Sequence, residues 1–420
     1  MKRYLIITTL ILSTAFEAVS QFKLTAEIRP RSELRRGFAT LSESNSDAAF
    51  FTSQRSRLIF DYTKESKLRL FINVQDIRVW GDSRQLVRDD GNRTSLHEGW
   101  AELFLTDKVS LKFGRQEISL NDHRIFGNVG WAQQARAHDA MLLKYNNNGF
   151  SAQLGGAFNQ TGETLFSTLY ELNNYKTLQY LWLNKKWEKL DGSFLFLNNG
   201  LQFVGGPATR DDETRFSQTM GTHLIFKPGT INLTSNLFYQ FGKDVNDRDI
   251  SAYLASLDAR INLREGLFVG AGFELISGTN SNETGDNNSF SPFYGTNHKF
   301  NGWMDYFFVG NHADNIGLFD AYVYGGVSKG KFSGRLYIHN FTSPADNITT
   351  DGLADGQLGL EADLEITYVL NPDVNFKWGY SQLFASEGME ALKGGVSDTY
   401  NGWSWLMITV KPTIFQTKDD

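Results

Sequence analysis

In GRQEISLNDHRIFGN, Gly114 to Asn128, two arginines, a glutamate, an aspartate and one of the chain's 7 histidines share one short stretch. An acid beside an imidazole suggests a general base, with Asp122 orienting His123. Adjacent residues at a strand end or in a loop point in different directions, however, so the two make a poor dyad. Asp122 and His123 also lack the second, spaced ligand pair of a metal site. Neither enzyme activity nor a cofactor or metal is expected of this stretch. Arginine can grip an anion with parallel donors, and Arg115, Arg124 and Arg136 can equally pair with Glu117, Asp122 and Asp139 in a salt-bridged loop folded against a wall.

The elements that must position these residues are legible from the N-terminus onward. Lys2 and Arg3 precede an apolar run from Tyr4 to Leu12, and Ala18-Val19-Ser20 offers small residues for a signal peptidase. Residues 1–20 are therefore expected to be a signal peptide and 21–420 a single domain. The chain has 0 Cys, so disulfides, thiolate metal sites and cysteine nucleophiles are excluded. With 39 Gly, 33 Phe, 16 Tyr, 9 Trp and a mean hydropathy of -0.34, it is aromatic, glycine-rich and moderately polar. That composition fits a transmembrane β-barrel, half of whose residues face lipid, but also a periplasmic sandwich or propeller.

Periodicity separates the two. In LGLEADLEITYVL, Leu358, Leu360, Ala362, Leu364 and Ile366 alternate with Gly359, Glu361, Asp363, Glu365 and Thr367. Phe22, Leu24, Ala26 and Ile28 alternate with Lys23, Thr25, Glu27 and Arg29, and similar runs begin at Leu68 and Tyr253. Alternating runs of about ten residues match membrane strands better than those of soluble sheets. Short joints at 63–66, 106–108, 146–149, 188–191, 227–229, 264–266, 328–330 and 371–373 are interleaved with long polar stretches such as 121–136 and 280–315. The fold class expected is all-β: an antiparallel up-and-down transmembrane barrel of about 18 strands, with short periplasmic turns and long extracellular loops. With pairing expected from Phe22 onward, no N-terminal plug domain is expected.

Such a barrel encloses an aqueous lumen. Of the arginines beyond the leader, fourteen lie between Phe22 and Ala140 and only six follow. Arg29 and Arg31 share the polar face of the first strand, Arg57 shares a face with Asp61 opposite Leu58 and Phe60, and Arg69 faces away from Leu68 and Leu70; Arg55 is a further pore candidate. Arginine ladders select anions in pores; the same residues could instead brace the wall against Glu27, Glu33, Asp61, Glu98 and Glu102. Both readings stay open at this level. The oxygen-rich stretch Thr279 to Ser289 reads as a solvated outer loop rather than a calcium site. Trp303, Tyr306, Phe307 and Phe308 read as a sugar-stacking plug, a loop core or a girdle.

The segment LKFGRQEISLNDHRIFGNVGWAQQARAHDAMLLKY, Leu111 to Tyr145, resembles the core motif of the alginate export family, at Gly114, Arg115, Gln116, Asp122, Arg124, Gly127, Trp131, Arg136 and Asp139. Tyr294 to Asn311, YGTNHKFNGWMDYFFVGN, is similar to a later segment in that family. The resemblance implies an outer-membrane porin of a Gram-negative bacterium that passes anionic polysaccharide, with its arginines and acids forming the constriction. Its partners would be outer-membrane lipid and lipopolysaccharide, the anionic carbohydrate cargo and periplasmic polysaccharide machinery, with no nucleic acid. The alternatives are a general or phosphate-type small-anion porin and a non-conducting barrel, enzymatic or structural.

Overall fold

The computed structural model describes residues 20–65, 67–86, 93–170, 174–203, 213–308, 312 and 315–417; all but the last residue of the expected signal peptide lies outside them. Eighteen antiparallel strands form a closed barrel, from Ser20–Arg36 to Asn401–Val410. Closure is made by the first strand, which pairs with Ala49–Lys64 on one side and with the last strand on the other, where Arg31 stands opposite Met407 and Lys23 opposite Gln416. The last strand is interrupted at Lys411 and Pro412 and resumes as Thr413–Gln416. Proline has no N–H to give the ladder, and its carbonyl accepts from Ala26 N at 3.1 Å instead. A closed sheet leaves no unpaired edge, the condition for strands to cross lipid.

Alternation sorts the side chains as the sequence predicts. Leu58, Leu70, Ile72, Leu143, Leu237 and Leu257 are exposed on the outside, while Glu27, Arg29, Arg55, Glu102, Asn199 and Asp363 are buried inside. Leu358 departs from the predicted face. A register shift beside Gly359 (φ 140°) buries it, while Leu360 remains outward. All eight predicted short joints are the turns at one end of the barrel. At the other end, the connection between Lys243 and Asp249 was not anticipated and spans only Asp244 to Arg248, closed by an Arg248–Asp244 ion pair of 2.7 Å.

Among the described residues, 117–137, 277–308 and 315–317 fold into the lumen, where Ile118, Leu120, Ile125 and Phe126 of the first connection pack with Tyr294, Trp303, Met304 and Tyr306 of the second in one apolar cluster. The barrel thus acquires a core inside its own bore. Trp403 and Trp405 of the last strand join this cluster at 1% and 3% exposure and line the lumen. Trp303, Tyr306 and Phe307 are likewise loop core. In the calcium-like stretch, Thr279, Asn287 and Ser289 are buried and hydrogen bonded to one another, while Asn280 to Gly285 are exposed.

Candidate functional site

The first in-folded loop is held by the arginines of the wall it covers. Arg29 donates to the carbonyls of Gly130, Trp131 and Ala132 at 2.7, 3.1 and 3.2 Å and to Gln133 Oε1 at 3.0 Å. Arg31 donates to Trp131 O at 2.7 Å and to Glu33 at 2.8 Å, with its guanidinium 4.1 Å from the centre of the Trp131 ring. Arg55 joins Glu27 at 2.7 Å to Gln133 O at 3.4 Å, and Arg57 donates to Gln75, whose amide reaches Gln134 O at 3.2 Å. Hydrogen bonds from a charged donor contribute about 1.5–3 kcal/mol each, and this loop needs them. Asn121, His123, Val129 and Ala135 all have positive φ without being glycine, a conformation costing about 1 kcal/mol or more apiece.

Across the bore, Arg124 clamps the first loop to the second and to the far wall. Its Nε donates to Glu274 Oε2 at 3.0 Å and its Nη2 to Glu274 Oε1, while Nη1 and Nη2 reach Asn297 and Asn301 at 3.2 and 3.0 Å. Arg124 is 2% exposed. Arg136 donates to Gly295 O at 3.1 Å. Gly127 N bonds to Tyr294 O and Thr296 N to His123 O, both at 2.9 Å. Close approach explains two glycines here: a Cβ on Gly127 would lie 2.2 Å from Thr296 Oγ1, and one on Gly295 2.2 Å from Arg124 O. The second loop continues to the opposite wall, where Trp303 N and Met304 N donate to Glu361 Oε1 at 2.6 and 2.9 Å.

The predicted site residues therefore divide. Arg29, Arg31, Arg55 and Arg57 are brought together on one wall, but they are buried beneath the loop and directed at its backbone and at neighbouring side chains. Arg69 faces the lumen with 38% of its side chain exposed and a two-pronged pair with Asp61. Arg124 and Arg136 join the two loops. Asp122 accepts from Asn236 Nδ2 at 2.7 Å, and Glu117 contacts His97 at 2.8 Å.

Arg115 and Asp139 correct the expectation. They pair at 2.8 Å directly across two strands, on the outward face shared by Phe113 and Met141. Because Gln116 and Leu142 point inward, Arg115 and Asp139 cannot belong to a lumenal constriction. His123 is a bystander: burial and then the neighbouring Lys299 ammonium push its imidazole below the usual histidine range.

On the turn side of the folded loops lies a cavity of about 600 Å³, within the roughly 300–1,000 Å³ span of small-molecule sites. Tyr322, Tyr324 and Tyr337 on adjacent strands form one wall, with Tyr324 and Tyr337 stacked at 4.6 Å. Trp303 lies 5.8 Å from Tyr337, and the Arg335 guanidinium stands 4.8 Å from the Trp303 ring. Tyr324 and Tyr322 donate to Asp258 at 2.8 and 3.3 Å. Lys299, which donates to Asp122 O at 2.8 Å, lines the same space together with His223, Asn236 and Glu365. Sequence reading gives no site role to Tyr322, Tyr324, Arg335 or Tyr337; an inward row of aromatic residues in YVYGGV and RLYIH was the available signal.

The family described as alginate export matches residues 20–401. Among solved structures, OccAB4 of Acinetobacter baumannii superposes with a TM-score of 0.61 at 14% identity, covering 94% of this chain and 99% of that one. OccK11 (OpdR) of Pseudomonas aeruginosa gives 0.59 at 14% identity over 94% and 96% of the two chains, and the P. aeruginosa outer membrane protein OpdK 0.59 at 11% over 93% and 98%. At these identities the likeness concerns the barrel alone. No curated protein matches the sequence.

Proposed function

As the chain belongs to the alginate export family, we propose that this outer-membrane channel passes acidic oligosaccharides of the polyuronate type through the path left beside its two in-folded loops. The turn-side cavity carries the reading. Sugar rings present apolar faces that suit the Tyr322, Tyr324, Tyr337 and Trp303 wall. Their hydroxyls suit the carboxylates and amides of Asp122, Asn236 and Asp258. Their carboxylates suit Arg335, 43% exposed, and Lys299. Anion binding moves accordingly from the buried arginines of the first two strands to Arg335, Lys299 and Arg69. Several weak sites in series let a solute enter and leave, as facilitated diffusion requires.

Proteoliposomes containing the full chain should admit short oligouronates faster than neutral gluco-oligosaccharides of equal length. If chloride enters freely but the uronates enter no faster than the neutral sugars, the cargo assignment fails.

A further inference from the structure

The geometry points to a divalent metal site on the lumen wall, formed by His97, Glu98, Glu117 and Asn73, which the transport reading does not use. One donor atom from each of His97, Glu98 and Glu117 lies within 4.8 Å of the others. A β-bulge creates the cluster. Strand Leu68–Val79 pairs with Thr94–Phe104 so that Asn73 faces Glu98 and Val74 faces Leu96, leaving His97 without a partner. An extra residue of this kind re-aims side chains. Here it turns the consecutive His97 and Glu98 both inward, at 3% and 8% exposure, while Leu96 remains outward at 49%. Glu117, the first residue of the in-folded loop, closes the group with its Oε1 2.8 Å from His97 Nε2.

Surrounding donors fix the carboxylates. Glu98 Oε1 accepts from Trp100 Nε1 at 3.1 Å and from Glu117 N at 3.0 Å, and Glu117 Oε2 accepts from Asn128 Nδ2 at 2.9 Å. Such outer contacts orient metal ligands. Arg57, on strand Ala49–Lys64 two strands away, directs its Nε and Nη2 to Gln75 rather than to either glutamate.

A second observation is independent of the acids. Asn73 is 3% exposed, stands directly across from Glu98 on the same inward face, and its Oδ1 has no hydrogen-bond partner among the described residues. A buried carbonyl oxygen without a donor calls for a cation or a water. One imidazole nitrogen with carboxylate and amide oxygens suits zinc or a similar borderline ion, whereas calcium takes 6–8 oxygens. Ligand atoms around tetrahedral zinc sit about 3.3 Å apart, and the donor atoms here lie within 4.8 Å of one another, with His97 Nε2 and Glu117 Oε1 at 2.8 Å. The ion would fasten the root of the first loop, at Glu117, and through Asn128 its middle, to the barrel wall.

Zinc titrated calorimetrically into the untagged full chain, stripped with chelator in detergent, tests this. One saturable ion per barrel is expected, with affinity at least roughly a hundredfold weaker in His97→Ala and in Glu117→Gln, and unchanged in His223→Ala, a lumenal histidine outside the cluster. Heat-modifiable gel mobility checks that each variant retains the closed barrel. Zinc should also slow proteolysis within residues 117–137. Absence of saturable binding in the wild type, or equal affinity in both cluster variants, overturns the site, and the His97–Glu117 contact is then a hydrogen bond that braces the loop.

Discussion

Replacing Glu117–Ala137 with a two-residue Asn-Gly turn should raise single-channel conductance several-fold and shift the reversal potential toward anion preference. Gln116 and His138 are direct cross-strand partners, so a tight turn can join them without disturbing the wall. The deletion removes one in-folded loop from the bore and uncovers Arg29, Arg31 and Arg55, which donate to that loop, and Arg57, which reaches it through Gln75. Once solvated, four guanidiniums on one wall form the anion-attracting field that the sequence suggests. Conductance and selectivity both unchanged in planar bilayers would mean that the loop does not occupy the lumen.

Arg124→Ala should free the two loops from each other and from the far wall. Breaking one partner of a buried ion pair typically costs about 3–5 kcal/mol, because the other charge remains buried and uncompensated. Glu274, at 4% exposure, would be that charge. The wall strands keep their ladders, so the loss should fall on the loops: faster proteolysis within 277–317 and more open-channel noise. Removing both charges, as Arg124→Ala with Glu274→Ala, should recover about 1–3 kcal/mol relative to the single variant. Proteolysis of the single variant at the wild-type rate would refute the clamp.

The barrel was readable from local pattern because its signals are local. Leu58 and Phe60 against Arg57 and Asp61 need only period-2 alternation, and every predicted short joint is a turn. The site was less readable because its contacts are remote in sequence. Arg124 meets Glu274 and Phe126 meets Tyr294 across more than a hundred positions, and no local rule says that a long loop folds inward.

Alternation with Leu111 and Phe113 already puts Arg115 outward; grouping it with Arg124 through the family resemblance hid this. His97 and Glu98 were invisible for the opposite reason, since a bulge breaks the very alternation used to read faces. Whether the arginines brace or conduct could not be separated from sequence, because both need an inward side chain and only the loop carbonyls distinguish them.

Single-channel recording in planar bilayers, with a short oligouronate added on the turn side, tests the transport account most directly. The wild type should show brief current blockades by the uronate but not by a neutral oligosaccharide of equal length. Tyr337→Ala should shorten them about fivefold, the equivalent of about 1 kcal/mol of lost ring contact. A barrel that does not conduct, or one blocked equally by acidic and neutral sugars and indifferent to Tyr337, would contradict it.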